Sequence, residues 1–283
     1  MITTISNSNL TAQINHVGAE LCSLKDNLNK EYIWDGNPEF WGKHSPVLFP
    51  IVGTLKNNTY QYNNSEYHLS RHGFAREMEF ELIDKQENSA TFSLVSTKKT
   101  KENYPFDFDL HLVYTLENKN LKIEYKVFNK GESKMPFSIG AHPAFDLPGN
   151  FEDYSLAFEN TDTLNYFLLE DGLISNSIKS IDLKQNKLQL NYKLFEKDAL
   201  VFKKVVSKSV TILKDSKPFL KVSYPNFPDL GIWTPPNAPF ICIEPWYGYS
   251  DTVTKFDSLL DKEGIQILEA NNTFQTAFSI EIL

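Results

Sequence analysis

Two arginines occur in the 283 residues, against twenty-six lysines, and both lie in one short run, Arg71-His72-Gly73-Phe74-Ala75-Arg76. Only a planar guanidinium offers a fixed fork of donors to a carboxylate, phosphate or sugar oxygen. A chain that uses lysine almost everywhere else therefore marks this segment as a place where lysine would not serve. Structural ion pairs are the alternative for each arginine taken alone, but the intervening histidine and glycine favour a site. Two further islands carry ionisable groups, Gly140-Ala141-His142-Pro143-Ala144-Phe145 and Phe240-Ile241-Cys242-Ile243-Glu244-Pro245-Trp246-Tyr247-Gly248. In both, the ionisable residue ends an apolar strand-like run and precedes proline, which holds it in extended geometry. Proline also withholds an amide from a sheet ladder, so pairing is expected to stop there, at a strand end or bulge facing a cleft.

Glu244 is a carboxylate between Phe-Ile-Cys-Ile and Pro-Trp, a context that implies burial, a cost unless paired, and a raised pKa. His16, His44, His68 and His111 read as structural; His111 merely continues a polar strand face. No HExxH, paired CxxC or calcium-loop spacing predicts a metal site. The twelve glycines form no phosphate-cradling loop, and no Gly-x-Ser-x-Gly elbow presents a serine nucleophile. Histidine plus carboxylate remains, the minimal set for moving protons without a cofactor.

The elements that must position these groups are strands. Phe108, Leu110, Leu112, Tyr114 and Leu116 alternate with polar residues, and Leu121, Ile123, Tyr125 and Val127 repeat the period after Glu117-Asn118-Lys119-Asn120, which predicts a hairpin. Phe274 to Ile282 alternates likewise. Further strands are predicted at 10–14, 20–24, 77–83, 90–96, 154–158, 209–212, 219–223 and 239–243. Helical periodicity is nearly absent, with short turns expected near 39–41 and 258–262. This pattern, without a βαβ rhythm, linker or repeat, predicts one all-β domain over residues 1–283, a large antiparallel sandwich or barrel.

A formal charge of −8 and a pI near 5.3 argue against nucleic acid or an anionic membrane as partner. Cys22 and Cys242 lie in separate apolar contexts and read as two buried thiols of a reducing compartment. The Asn-x-Ser/Thr patterns at Asn57, Asn63 and Asn271 carry no weight without a secretion signal. The amino terminus lacks a signal pattern and no stretch is long and apolar enough to span a bilayer, so a cytoplasmic location is expected.

The ordered motifs, His-Gly-Phe-Ala-Arg at 72–76, Gly-Ala-His-Pro-Ala-Phe at 140–145, Trp-Thr-Pro-Pro at 233–236 and Cys-Ile-Glu-Pro-Trp at 242–246, resemble the aldose 1-epimerase (galactose mutarotase-like) superfamily, most closely its LacX-like branch. The likeness runs from Gly18-Ala19-Glu20-Leu21 to the end of the chain. It implies a largely antiparallel β-supersandwich with few short helices, and interconversion of the α and β anomers of a free hexose. It implies His142 as general acid on the ring oxygen and Glu244 as general base on the anomeric hydroxyl. His72, Asp198, Arg71, Arg76 and Trp233 are implied or suggested as sugar contacts, with Trp246 and Tyr247 as further flat apolar faces. Near neutrality an ionised Glu244 and a protonated or readily protonated His142 are expected. No metal and no cofactor are expected, and a small-molecule sugar is the expected partner, with a homodimer left open. Where relatives in this branch commonly carry a basic residue, this chain has Thr54, with Lys56 two places on. Alternatives are an epimerase of a hexose 6-phosphate, a non-catalytic carbohydrate-binding protein and, less favoured because it usually needs two carboxylates across the bond, a glycosidase.

Overall fold

Period-two alternation decides which side chains face the core and which face the cavity. The computed structural model describes residues 1–254 and 258–283. The strands Phe108–Glu117 and Asn120–Asn129 form the expected hairpin, with Glu117 opposite Asn120 and Asn118 in the left-handed region. They sit in a nine-stranded antiparallel sheet ordered Lys187–Gln189, Tyr154–Phe158, Ser209–Lys214, Lys217–Ser223, Thr273–Ile282, Asn120–Asn129, Phe108–Glu117, Ser89–Val95 and Glu81–Lys85.

A second large antiparallel sheet runs Leu173–Asp182, Thr163–Glu170, Leu200–Phe202, Asp229–Trp233, Phe240–Tyr247, Ile139–Ala141 and Val47–Leu48, with Ala144–Asp146 also paired to Phe240–Tyr247. Ile123, Tyr125 and Phe278 of the first sheet share one apolar cluster with Leu230, Ile232, Ile241 and Ile243 of the second. On the second sheet's opposite face, Phe240 and Cys242 join Trp34 and Ala144, while Val201 and Trp246 join Ile174 and Tyr249. Parity places Glu244 on this same outer face.

Three expectations need correction. The strand through Glu244 does not stop at proline: Phe240–Tyr247 continues past Pro245, which pairs with Leu230. Pairing is interrupted only on its other side, between Ile139–Ala141 and Ala144–Asp146. Ile243 donates its amide to the Pro143 carbonyl on that side, so by alternation the amide missing from Pro245 would have pointed into the same gap, where its loss costs no ladder bond. The strand expected over 77–83 begins at Glu81, because a 3-10 turn occupies Ala75–Glu77. A six-residue α-helix, Lys98–Asn103, was not foreseen; Thr97 caps it reciprocally with Thr100. The turns near 39–41 and 258–262 are present, the second as a 3-10 turn at Leu259–Asp261. Cys242 is buried and Cys22 half-buried, both free. No helix among the described residues is long and apolar enough to cross a membrane.

Candidate active site

Gly140 lies opposite Trp246 and Ala144 opposite Cys242. The two pairings share one register, so interpolating across the gap puts His142 directly opposite Glu244. The side chains confirm it: His142 Nε2 lies 3.2 Å from Glu244 Oε2, with Glu244 only 2 % and His142 10 % exposed. Cross-strand neighbours on one face thus join residues a hundred positions apart in sequence.

The pair opens into a cavity of about 400 Å³, within the range of small-molecule sites. His72, His142, Arg71, Arg76, Asp198, Trp233 and Glu244 all line it. Trp246 does too, but Tyr247 does not. Its ring packs on Phe227 and Phe274 in the core, and its hydroxyl donates to the Asn226 carbonyl; parity puts 247 on the face opposite 246. His16, His44, His68 and His111 stay outside the cavity, bonded or paired with Thr3, the Trp34 carbonyl, Glu66 and Asp109 respectively.

Trp41 was missed by sequence reasoning. Its indole stacks on the His142 imidazole with centroids 4.7 Å apart and planes 25° apart, and meets Trp233 edge-on. The loop carrying it is tied down by Glu20, whose carboxylate accepts the amides of His44 and Ser45. Two tryptophans in the polar loop 34–41, outside any alternation, were the available signal. The far wall, Tyr249 and Ser250, is held by the buried Lys262, which donates to the Tyr249 carbonyl and pairs with Asp251 at 3.1 Å. Lys56 turns away from the cavity and donates to the Val253 carbonyl. Thr54 is bonded through its amide to Ser250 Oγ.

Two lining residues other than glycine hold left-handed backbone, His72 at φ 69° and Asp198 at φ 73°. Such conformations cost about 1–3 kcal/mol and cluster at functional sites. Gly73 follows His72 at φ 71°, where a Cβ would stand 2.3 Å from the Phe49 carbonyl oxygen, so the turn requires glycine.

The ring nitrogens of His72 face two donors, the Gly53 amide at Nδ1 (3.1 Å) and Arg71 Nε at Nε2 (3.2 Å). A neutral imidazole can accept at only one nitrogen. The buried amide has the stronger claim, since leaving it unpaired costs about 1–3 kcal/mol, whereas Arg71 is half-exposed and also faces Asp198 at 3.8 Å. His72 therefore carries its proton on Nε2, and its N–H and that of Arg71 converge where an acceptor oxygen of a ligand would satisfy both. Arg76 braces the segment, donating from Nη2 to the Arg71 carbonyl.

Burial lowers His72 well below the usual histidine value, helped by His142 and the two arginines. Burial also lowers His142, to about 3, with Arg71 and Arg76 adding to the fall, and it raises Glu244 well above the usual carboxylate range against the pull of Arg71. The expected charged pair is thus not what burial of the two groups favours. Burial disfavours both charges, which favours a protonated Glu244 carboxyl beside a neutral imidazole.

The second antiparallel sheet thus carries a buried histidine–carboxylate pair at the floor of a polar and aromatic cavity. The chain belongs to the aldose 1-epimerase family, whose sequence profile matches residues 1–259. It is 36% identical to Protein LacX (plasmid form) of Lactococcus lactis subsp. lactis, over 99% of this chain and 98% of the relative. Among solved structures it is similar to a galactose mutarotase related enzyme from Lactobacillus acidophilus, with 35% identity and a TM-score of 0.95 over 100% of this chain and 97% of the other. A galactose mutarotase-like protein from Lactobacillus casei matches with 30% identity and a TM-score of 0.94 over the whole of both chains. The fold is galactose mutarotase-like, as the sequence motifs implied.

Proposed function

We propose that this protein is a mutarotase that interconverts the α and β anomers of a free hexose through general acid–base ring opening. The observation that carries this reading is the His142–Glu244 contact at the cavity floor: Nε2 and Oε2 stand 3.2 Å apart without hydrogen-bond geometry, and neither Oε2 nor His142 Nδ1 has a hydrogen-bond partner among the described residues. Buried polar atoms without partners are costly, and a pyranose supplies oxygens at such positions.

With Glu244 protonated and His142 neutral, the pair carries one proton, the number the reaction needs. Its transfer from the Glu244 carboxyl to His142 creates the reactive imidazolium and carboxylate. Glu244 then takes the proton of the anomeric hydroxyl while His142 gives its proton to the ring oxygen. The bond between C1 and the ring oxygen breaks, leaving an open-chain aldehyde, a neutral imidazole and a carboxylic acid. Rotation about the C1–C2 bond and reclosure, with each proton returned, gives the other anomer. Nothing is consumed, and each proton transfer contributes roughly 10² to 10⁴ in rate. His72 Nε2–H and Arg71 donate to ring hydroxyls, Asp198 accepts from them, Arg76 supports Arg71, and Trp233 lies against an apolar face of the sugar.

A neutral sugar fits better than a sugar phosphate. Arg71 faces Asp198 and Arg76 is committed to the Arg71 carbonyl, while Lys56 points elsewhere. Polarimetry on freshly dissolved α-glucose, α-galactose and α-glucose 6-phosphate tests the reading. Acceleration of a free hexose above its phosphate is expected; a flat response with all three, or preference for the phosphate, contradicts it.

A further inference from the structure

Cys242 and Glu244 are two residues apart on one strand and share its outer face, and His142 stands across from Glu244. One nitrogen, one sulfur and one oxygen donor from these three residues lie within 4.8 Å of one another, all buried. No local motif announces the set, because the sheet register assembles it from two distant stretches. We propose that His142, Cys242 and Glu244 form an inhibitory site for a borderline divalent cation, with Zn²⁺ the best match, at the cavity floor.

A nitrogen, sulfur and carboxylate set suits Zn²⁺ and excludes Mg²⁺ and Ca²⁺, which require oxygen ligands. Bond lengths of about 2.0–2.3 Å put tetrahedral ligand atoms roughly 3.3–3.8 Å apart. The His142–Glu244 separation of 3.2 Å already matches this, and the remaining closure of about 1 Å is within the reach of side-chain rotation. Glu244 Oε2, nine-tenths buried or more and without a hydrogen-bond partner, faces the proposed ion. His142 and Glu244 line the cavity and Cys242 does not, so water from the cavity side would complete the shell at the fourth position.

A thiol and a carboxyl ligate a cation only after losing their protons, so binding strengthens as pH rises. The ion occupies both groups assigned to proton transfer, so competition with sugar rests on the proposed mutarotase activity; the binding itself does not. Loss of even an outer-shell partner typically weakens a metal site about 10- to 100-fold, so loss of the sulfur weakens this one by at least about tenfold.

Cd²⁺ titration of the intact protein, followed by thiolate-to-cadmium charge-transfer absorption in the ultraviolet, tests the site without reference to catalysis. The wild type and Cys22→Ala are expected to develop the band at one Cd²⁺ per chain, with no response to Mg²⁺, and Cys242→Ala to lack it. A missing band in the wild type overturns the proposal, as does one that survives in Cys242→Ala or disappears in Cys22→Ala. Should Cys242→Ala fail to fold, the band in Cys22→Ala decides by itself. If the wild type is an active mutarotase, Zn²⁺ raises its apparent KM, by at least about tenfold less in Cys242→Ala; equal inhibition of both overturns the assignment.

Discussion

At the scale of single residues, four of the seven buried side-chain atoms without partners among the described residues belong to the cavity lining. His72 and Asp198 are held in left-handed backbone, and His142 and Glu244 are buried with unpartnered polar atoms. Each buried atom left without a partner costs about 1–3 kcal/mol. The stacking of Trp41 on His142 fixes the imidazole plane. Trp41→Ala should therefore lower kcat about tenfold, or about 1.4 kcal/mol of barrier, with a smaller change in KM, measurable by polarimetric progress curves. Arg71→Lys keeps the charge and loses the fork, and is expected to raise KM about tenfold with kcat nearly intact. Proline and glycine neighbours made His142, Glu244 and His72 legible in the sequence. Trp41 was not, since a loop tryptophan has no periodicity to place it and its anchor, Glu20, is twenty-one positions away. The protonation state was not legible either, because it depends on how dry the assembled cavity is.

At the scale of elements, the sheet is both ruler and mould. Cross-strand register makes neighbours of 142 and 244, and parity aims Phe240, Cys242, Glu244 and Trp246 to one side. Glycines on the two strands beside Trp246 form its slot: a Cβ at Gly140 or Gly231 would stand 2.5 or 2.4 Å from the indole. Gly231→Ala should displace Trp246 and narrow the cavity, at about 1–3 kcal/mol of stability, read as a lower denaturant midpoint and a shifted Trp emission. An unchanged midpoint would argue that the slot is loose. Glu20→Ala frees the two amides it holds and should lower activity by loosening Trp41 and with it the imidazole on which it stacks. The hairpin at 108–129 was legible because ten residues alternate on each arm. The run through Pro245 was not, since the sequence shows that an amide is missing but not which edge of the strand is unpaired there. The helix at 98–103 was hidden by its brevity and its lack of an apolar stripe.

At the scale of the whole molecule, buried histidines couple folding to pH. The folded value of His72 lies well below 6.5 because burial disfavours its cation. Below pH 6.5 the unfolded chain therefore binds a proton that the folded chain refuses, and stability falls as pH drops from about 6.5 toward the folded value. Carboxyls raised by burial, Asp146 to about 6 and Glu244 well above its usual range, act in the opposite sense, so a comparison of variants isolates the effect. His72→Asn keeps a side chain suited to left-handed backbone and removes the titration. Between pH 6.5 and 5 the wild type should lose stability faster than this variant, by up to about 1.4 kcal/mol per pH unit, in urea unfolding curves. Parallel pH dependences would show that the imidazole is not held neutral. The broad class, an antiparallel all-β chain, followed from alternation alone; the cavity did not, because strands meeting there belong to stretches that no local pattern relates.

The measurement closest to the central claim is the rate of anomer equilibration of a freshly dissolved α-hexose with the wild type, His142→Ala and Glu244→Gln. Shared proton transfer predicts that each variant loses roughly 10² to 10⁴ of the acceleration while keeping the wild-type circular dichroism spectrum. Acceleration retained by both folded variants would contradict it.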